Sequence, residues 1–346
     1  MPNLDAFSTH AAFNMRTLTD SINRMPYVPG RVASLGLFEE RGITTSGVMV
    51  EERDGILALV PTTPRGGPST QQAVAKRTAR NFETRRLCLE RNINADEILN
   101  VRAWGSETGL ASLETLVNDT MREMIPSIDM TIEHQQLGAL KGTIVDADGT
   151  TVIYNLFTEF GVTPAPEVAF NLTAATLTTL TAAINGIVRT VQDNLGAVMV
   201  MGIHALCSPT FWDDFTSNAA VNSSFDRWVG VSTMTEQIGG FLREGHVRQV
   251  PFHWKGIDWE EYRGALGATS FVPADKAIFF PKGVPGLYKQ YYAPGDFEGG
   301  QGMGLPRYAR RLPTTPDGRA VPLEVSTYPL SICTRPKVLM VGRRGA

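Results

Sequence analysis

Paired acids are the first residues in this chain that could carry chemistry. Asp213 and Asp214 are adjacent, Asp258 and Glu260 alternate, and Glu261 follows directly. Two convergent carboxylates can divide the roles of proton donor and base or nucleophile, as in glycoside hydrolysis. Such pairs are more often solvated faces or charges at helix N-termini. A cytosolic hydrolase using a couple among Asp213, Asp214, Asp258 and Glu260 therefore stands as an alternative reading. Other chemistries lack their patterns. His10, His134, His204, His246 and His253 show no metal-ligand spacing with carboxylates, and His246 and His253, seven apart, fall on opposite faces of a regular strand. Cys88, Cys207 and Cys333 are far apart and form no CxxC, which argues against a disulfide framework and fits a reducing cytoplasm. There is no GxSxG and no GxxxxGK[ST], and the glycines of GGQGMGLP do not satisfy GxGxxG. No catalytic, cofactor-binding or metal-ligating residue is assigned.

The stretch DKAIFFPKGVPGLYKQYYAPGDFE, residues 275–298, poses the opposite problem: many aromatics and prolines but no acid–base pair. Ala277 to Phe280 reads as a strand, and Pro281, Gly283, Pro285 and Gly286 read as turns. Tyr288, Tyr291, Tyr292 and Phe297 offer large contact area at low entropic cost, so they are expected to form a rigid aromatic wall, packing inward and toward neighbours.

The elements that must position these residues follow from composition and periodicity. With 346 residues, 42% hydrophobic and 19% charged, the chain can bury a sizeable core and is globular in composition. Its net charge of −3 lacks the basic excess usual for proteins that grip nucleic acid from solution. No run approaches a membrane span, and the N-terminus has no signal-peptide pattern. Residues 1 to about 40 read as an irregular arm, with MPYVPG unable to sit inside a helix. Residues 43–60 read as two strands around an Asp54-Gly55 turn. PTTPRGGPSTQQA then forms a loop tip with almost no core-forming residues, and a basic run from Lys76 to Arg86 follows. Such an excursion cannot hold itself together and needs a partner surface. Its basic residues could meet nucleic acid, but the acidic balance of the chain favours ion pairs with a partner protein.

Leu113, Val117, Met121, Met124, Ile128, Ile132 and Leu137 predict a helix over about 110–140, capped near Ser106, Glu107 and Thr108, with Pro126 expected to kink it or break it in two. A β-hairpin with Asp148-Gly149 at its turn and Val152, Tyr154 and Leu156 alternating comes next. Leu177, Leu180, Ile184, Ile187, Val188 and Val191 stripe a second helix. GAVMVMGI reads as a buried strand, SPTFWDDFTSN as a helix capped by Ser208, residues 246–262 as strands, and EVSTYPLSICTRPKVLMVG as two closing strands. The class is α+β.

Taken in order, VRAWG, EHQQLGALKGTIVDADGTTVIYNLFTEFGV, EEYRGALGATSFVPADKAIFFPKGVPGLYKQYYAPGDF and EVSTYPLSICTRPKVLM resemble the lambda-type major capsid proteins of tailed phages, the major capsid protein E family. No single motif is diagnostic by itself; it is the ordered set that is specific. The resemblance implies the HK97-like fold, with an N-terminal arm (1–41), an extended E-loop hairpin (42–91), a P-domain with a spine helix and hairpin (92–163), an A-domain (164–304) and closing strands (305–346). It implies a structural protein that assembles as hexamers and pentamers into an icosahedral shell around double-stranded DNA. The virion would be its location, after assembly in the host cytoplasm. Expected partners are further copies of the chain, a separate scaffolding protein, a portal, a decoration protein, and packaged DNA through non-specific contacts on the inner face. Val48, Val50, Ile56, Leu59, Arg77, Arg80, Arg85 and Arg86 of the E-loop become candidate contacts between subunits. An encapsulin-like compartment shell of the same fold is the nearest alternative.

Overall fold

The computed structural model describes residues 13–24, 30–53, 77–94, 97, 109–196, 198, 200–222, 225, 251–266, 269–316 and 319–345. Helices and sheets are interspersed along it, an α+β arrangement. By compactness the chain divides into two units: residues 1–23, 41–116 and 291–330 form one, and residues 24–40, 117–290 and 331–346 the other. The Asp54-Gly55 turn, the loop tip at 61–73, the caps near Ser106 and His246 lie outside the described residues.

In the first unit, Gly47–Arg53 and Arg77–Glu83 pair antiparallel through seven residues each, from Gly47↔Glu83 to Arg53↔Arg77. The partner of the first excursion strand is therefore the basic run, thirty residues on. A three-stranded sheet forms where Ala320–Thr327 pairs antiparallel with Leu87–Asn94 on one side and Tyr308–Arg311 on the other. All eight residues of the central strand are buried, whereas Leu87–Asn94 is mostly exposed. The aromatic core beside it joins Phe297, Tyr308, Tyr328 and Ala293. Gly304 has a positional reason here: a Cβ would fall 1.9 Å from the Tyr292 carbonyl oxygen. Its N–H donates to Ile43 O, and the Ile43 N–H donates to Tyr292 O. The irregular arm is corrected in part, because Met15–Arg24 is a helix whose Leu18 and Ile22 are buried.

The second unit is built on a six-stranded mixed sheet. Its order is Val168–Ala169, Met340–Arg343, Lys276–Lys282, Gly202–Cys207, Ile257–Glu261, Phe252–Trp254. Ile257–Glu261 runs parallel to Gly202–Cys207, and Lys276–Lys282 antiparallel to it. Side chains alternate between faces, so one face takes Trp259, Phe279 and Ala205 and the other takes Asp258, Glu260, His204 and Phe280. The first face is an aromatic core. Trp259 stacks on Phe215 at 4.3 Å and meets Phe170 and Phe279 edge-on at 6.0 and 5.3 Å, and its indole N–H donates to Trp254 O.

Several sequence expectations change. Gly109–Lys141 is one helix of 33 residues with Pro126 inside it, not two. Pro126 removes one N–H donor, but Met121, Met124, Ile125, Ile128 and Ile132 are buried on both sides of it, and their packing outweighs one lost bond. Pro281 lies within a strand rather than at a turn. The ladder to Met340–Arg343 ends at Phe279, so a residue without an N–H costs no pairing on that side. The buried strand begins at Gly202, leaving Met201 exposed. Leu156 opens a short helix capped by Asn155 instead of extending the hairpin, and Leu177, at the first turn of its helix, is 49% exposed. The closing segment makes three strands, not two.

Leu177–Leu195 begins with a reciprocal cap that the hydrophobic stripe did not reveal: Thr176 Oγ1 accepts the Thr179 N–H while Thr179 Oγ1 accepts the Thr176 N–H. Thr176→Ala is expected to cost about 1 kcal/mol, read as a lower urea midpoint at unchanged m-value.

Candidate functional site

Two clusters of charged side chains stand out, one in each unit. At the base of the excursion, Arg86 lies where the chain enters Leu87–Asn94. Its Nη2 donates to Glu324 Oε1 at 3.0 Å, and its Nε lies 3.9 Å from Asp296 Oδ2. Arg310, directly across the ladder from Glu324, donates Nε and Nη2 to the same carboxylate at 2.8 and 2.9 Å. Burial alone would push the Glu324 carboxyl up. The hydrogen bonds and charges of Arg310 and Arg86 outweigh that and hold it below its ordinary value. The arrangement also answers a like-charge problem, because Glu90 faces Glu324 from the neighbouring strand. Arg310 rests its guanidinium 4.5 Å over the Phe297 ring, and Asp296 accepts the Tyr328 hydroxyl proton.

The second cluster occupies the polar face of the six-stranded sheet. Glu260, 3% exposed, is clasped by Arg31 through Nε and, at 2.9 Å, Nη2, and by His204 Nε2 at 3.1 Å. Asp258, two residues earlier on the same face, takes His253 Nδ1 at 2.7 Å and the Lys282 ammonium. Burial works to raise both carboxyls, and their cationic and hydrogen-bonding partners overcome it, so both are held low. The turn carrying Arg31 is gripped a second time: Glu133 Oε1 accepts the Val32 N–H at 3.2 Å and the Tyr262 hydroxyl at 3.1 Å. Gly30 leaves room for this carboxylate, since a Cβ there would fall 1.4 Å from Glu133 Oε2.

The carboxylates of the hydrolase alternative are thereby placed. A proton donor needs a carboxyl held above its ordinary range; Asp258 and Glu260 are held below it by fixed cations. Asp213 and Asp214 belong to the helix Pro209–Ser217, whose Phe211 and Phe215 pack against Trp259 on the aromatic face. The sheet therefore separates that pair from Asp258 and Glu260. Asp214 is itself 3.3 Å from Arg344. Asp214, Asp258 and Glu260 are thus engaged in holding the chain together, and Asp213 is exposed.

The excursion residues divide by exposure. Val50 and Phe82 are buried by the chain itself, Val48 and Arg80 are half-buried, and Arg85 and Arg86 are exposed. Ile56 and Leu59 lie outside the described residues, and of Arg77 only the strand position is described. Among the described residues of the ribbon, the large apolar side chain presented to solvent is Met49, 66% exposed. Strand alternation could have flagged it, since Met49 must face away from Val48 and Val50. Tyr288, Tyr291, Tyr292 and Phe297 are all buried, so the inward packing expected of them is present within the chain. Arg31 and Glu133 escaped sequence reasoning because nothing local links residues about 100 and 230 positions apart.

Comparison with known proteins places these features. The family model described as phage major capsid protein E matches residues 14–343. The major capsid protein of Salmonella phage Felix O1 is 23% identical over 368 residues, covering 98% of both chains. Among solved structures, the putative capsid protein of an E. coli CFT073 prophage superposes with a TM-score of 0.58 at 12% identity, over 95% of this chain and 98% of that one. The SrpI encapsulin of Synechococcus elongatus PCC 7942 gives 0.50 at 11% identity, over 99% and 95%.

Proposed function

The chain belongs to the phage major capsid protein E family, and from that premise we propose that it builds, as hexamers and pentamers, the icosahedral shell that encloses a double-stranded DNA genome. It is a capsid shell protein of HK97-like fold, located in the virion capsid, and copies of it assemble into capsomers. The observation that carries the reading is the match over residues 14–343, which takes in arm, excursion, sheets and closing strands in one alignment. The fold alone is shared with an encapsulin shell; the family and the full-length capsid relative favour the phage shell.

The finer assignments rest on this premise. The paired strands Gly47–Arg53 and Arg77–Glu83 are the root of an E-loop that lies over a neighbouring subunit, with Met49 and Arg85 as its exposed contacts. The long helix is the P-domain spine, and the six-stranded sheet belongs to the A-domain. A scaffolding protein, a portal and a decoration protein are the expected further partners, and DNA meets the inner face without sequence preference. The charged clusters serve structure and not catalysis.

Electron microscopy with size-exclusion chromatography tests the reading on the full chain, expressed alone and together with its genomic neighbours. Shells, tubes or ring-shaped capsomers are expected. A compact monomer under every condition would overturn it.

A further inference from the structure

The buried Glu260 carboxylate has two positive or potentially positive partners of different origin. Arg31 comes from the turn Gly30–Ser34, and its guanidinium is always charged. His204 comes from the middle of the sheet, is 0% exposed, and meets Glu260 through Nε2 while its ring leans on Phe280 at 5.4 Å. Its other nitrogen, Nδ1, is buried and has no hydrogen-bond partner among the described residues. With Arg31 in place the carboxylate already has its counter-charge, and the imidazole need only donate Nε2–H.

We propose that release of the Gly30–Ser34 turn from the core is coupled to uptake of one proton by the Glu260–His204 pair, which makes the anchoring of the N-terminal segment proton-linked. If Arg31 leaves, a carboxylate 3% exposed remains without its guanidinium, and an unpaired buried charge is strongly unfavourable. The remedy within reach is one proton taken up by the Glu260–His204 pair, whose members lie in hydrogen-bond contact.

The neighbouring charged groups do not supply the missing charge. Asp258 is engaged by Lys282 and His253. Tyr262 donates its hydroxyl to Glu133, and Glu133 is itself an acid. Glu261, next along the strand, adds only negative charge, with Arg263 3.8 Å away. The sign follows by linkage: the open state binds the proton more tightly, so lowering the pH favours opening, and opening raises proton affinity reciprocally.

Val32 is the turn's one fully buried side chain, and the turn is gripped through Arg31 to Glu260 and the Val32 N–H to Glu133. The turn is no strand of the sheet, so its opening is a local event that breaks no ladder.

Hydrogen exchange of the peptide spanning residues 30–34, corrected for intrinsic rates and measured on the full chain, reads this directly and independently of any shell assembly. Its opening equilibrium is expected to rise by up to tenfold per unit as the pH falls from about 7 to about 5, the slope of a one-proton linkage. A flat profile overturns the proposal. The double variant His204→Gln with Glu260→Gln removes both groups that can hold the proton and is expected to flatten that slope; an unchanged slope would assign the linkage elsewhere and overturn it too. Arg31→Met, a change at a partly exposed position, frees the turn without touching the pair. Difference titration near pH 6 should find about one more bound proton per chain in the variant than in the wild type, and equal proton binding would likewise count against the coupling.

Discussion

Trp259→Ala is expected to lower the stability of the second unit by about 3–5 kcal/mol, the range for emptying a fully buried aromatic site. The indole is 0% exposed, stacks on Phe215 at 4.3 Å, and touches Phe170 and Phe279 edge-on. Its neighbours cannot close over the void by small shifts. Phe170 and Phe279 are stacked on each other at 5.8 Å, and Phe279 is fixed within a strand paired on both sides. The variant also strands the Trp254 carbonyl, which now accepts the indole N–H. Denaturant unfolding followed by far-UV circular dichroism measures the loss. A change below about 1 kcal/mol would mean that the aromatic face is not the core of this unit. Trp259→Phe, which keeps the stacking and gives up the hydrogen bond, should recover more than half of it.

Local signals carried the parts of this fold that are local. The Ser208-Pro209 start of a helix, the Asp148-Gly149 turn and the 3.6-residue stripe from Leu180 to Val191 each involve residues within a turn or two of one another, and each holds in the structure. The errors arise where a distant partner decides. Pro126 should break a helix by its own chemistry, and only packing along the whole helix overrides it. Pro281 should end a strand, and only the point at which its neighbour stops pairing makes it harmless. The ribbon's second strand begins more than twenty residues past the Asp-Gly pair that read as its turn. The candidate sites were legible unevenly for the same reason. Asp258 and Glu260 were visible as an alternating pair, but what settles their chemistry is Arg31, His204, His253 and Lys282, and three of those four lie more than twenty residues away. The family resemblance supplied the architecture that no single period or motif could.

Charge reversal separates Arg85 from Arg86, adjacent residues that sequence reasoning treats alike. Arg86→Glu would set a third acid beside Glu324 and Asp296 and leave Arg310 alone to hold a buried carboxylate. The expected cost is about 2–3 kcal/mol: breaking a buried pair costs more, but Arg86 is 39% exposed and Arg310 remains. That loss is intramolecular and should appear in the unfolding midpoint of the unassembled chain. It should also grow less marked as the pH falls through the depressed titration of Glu324, where the protonated carboxyl no longer needs either guanidinium. Arg85 is exposed on the same connection, so Arg85→Glu should move the midpoint by no more than about 0.5 kcal/mol. Its effect belongs to assembly. A contact worth about 1 kcal/mol in one pair of subunits is repeated at every copy in a closed shell, and the yield of particles should fall roughly tenfold or more. Particle counts by electron microscopy, set beside denaturant midpoints of both variants, check the division. Normal shells from Arg85→Glu would remove Arg85 from the subunit contacts, and an unchanged midpoint for Arg86→Glu would show that Arg310 alone suffices for Glu324.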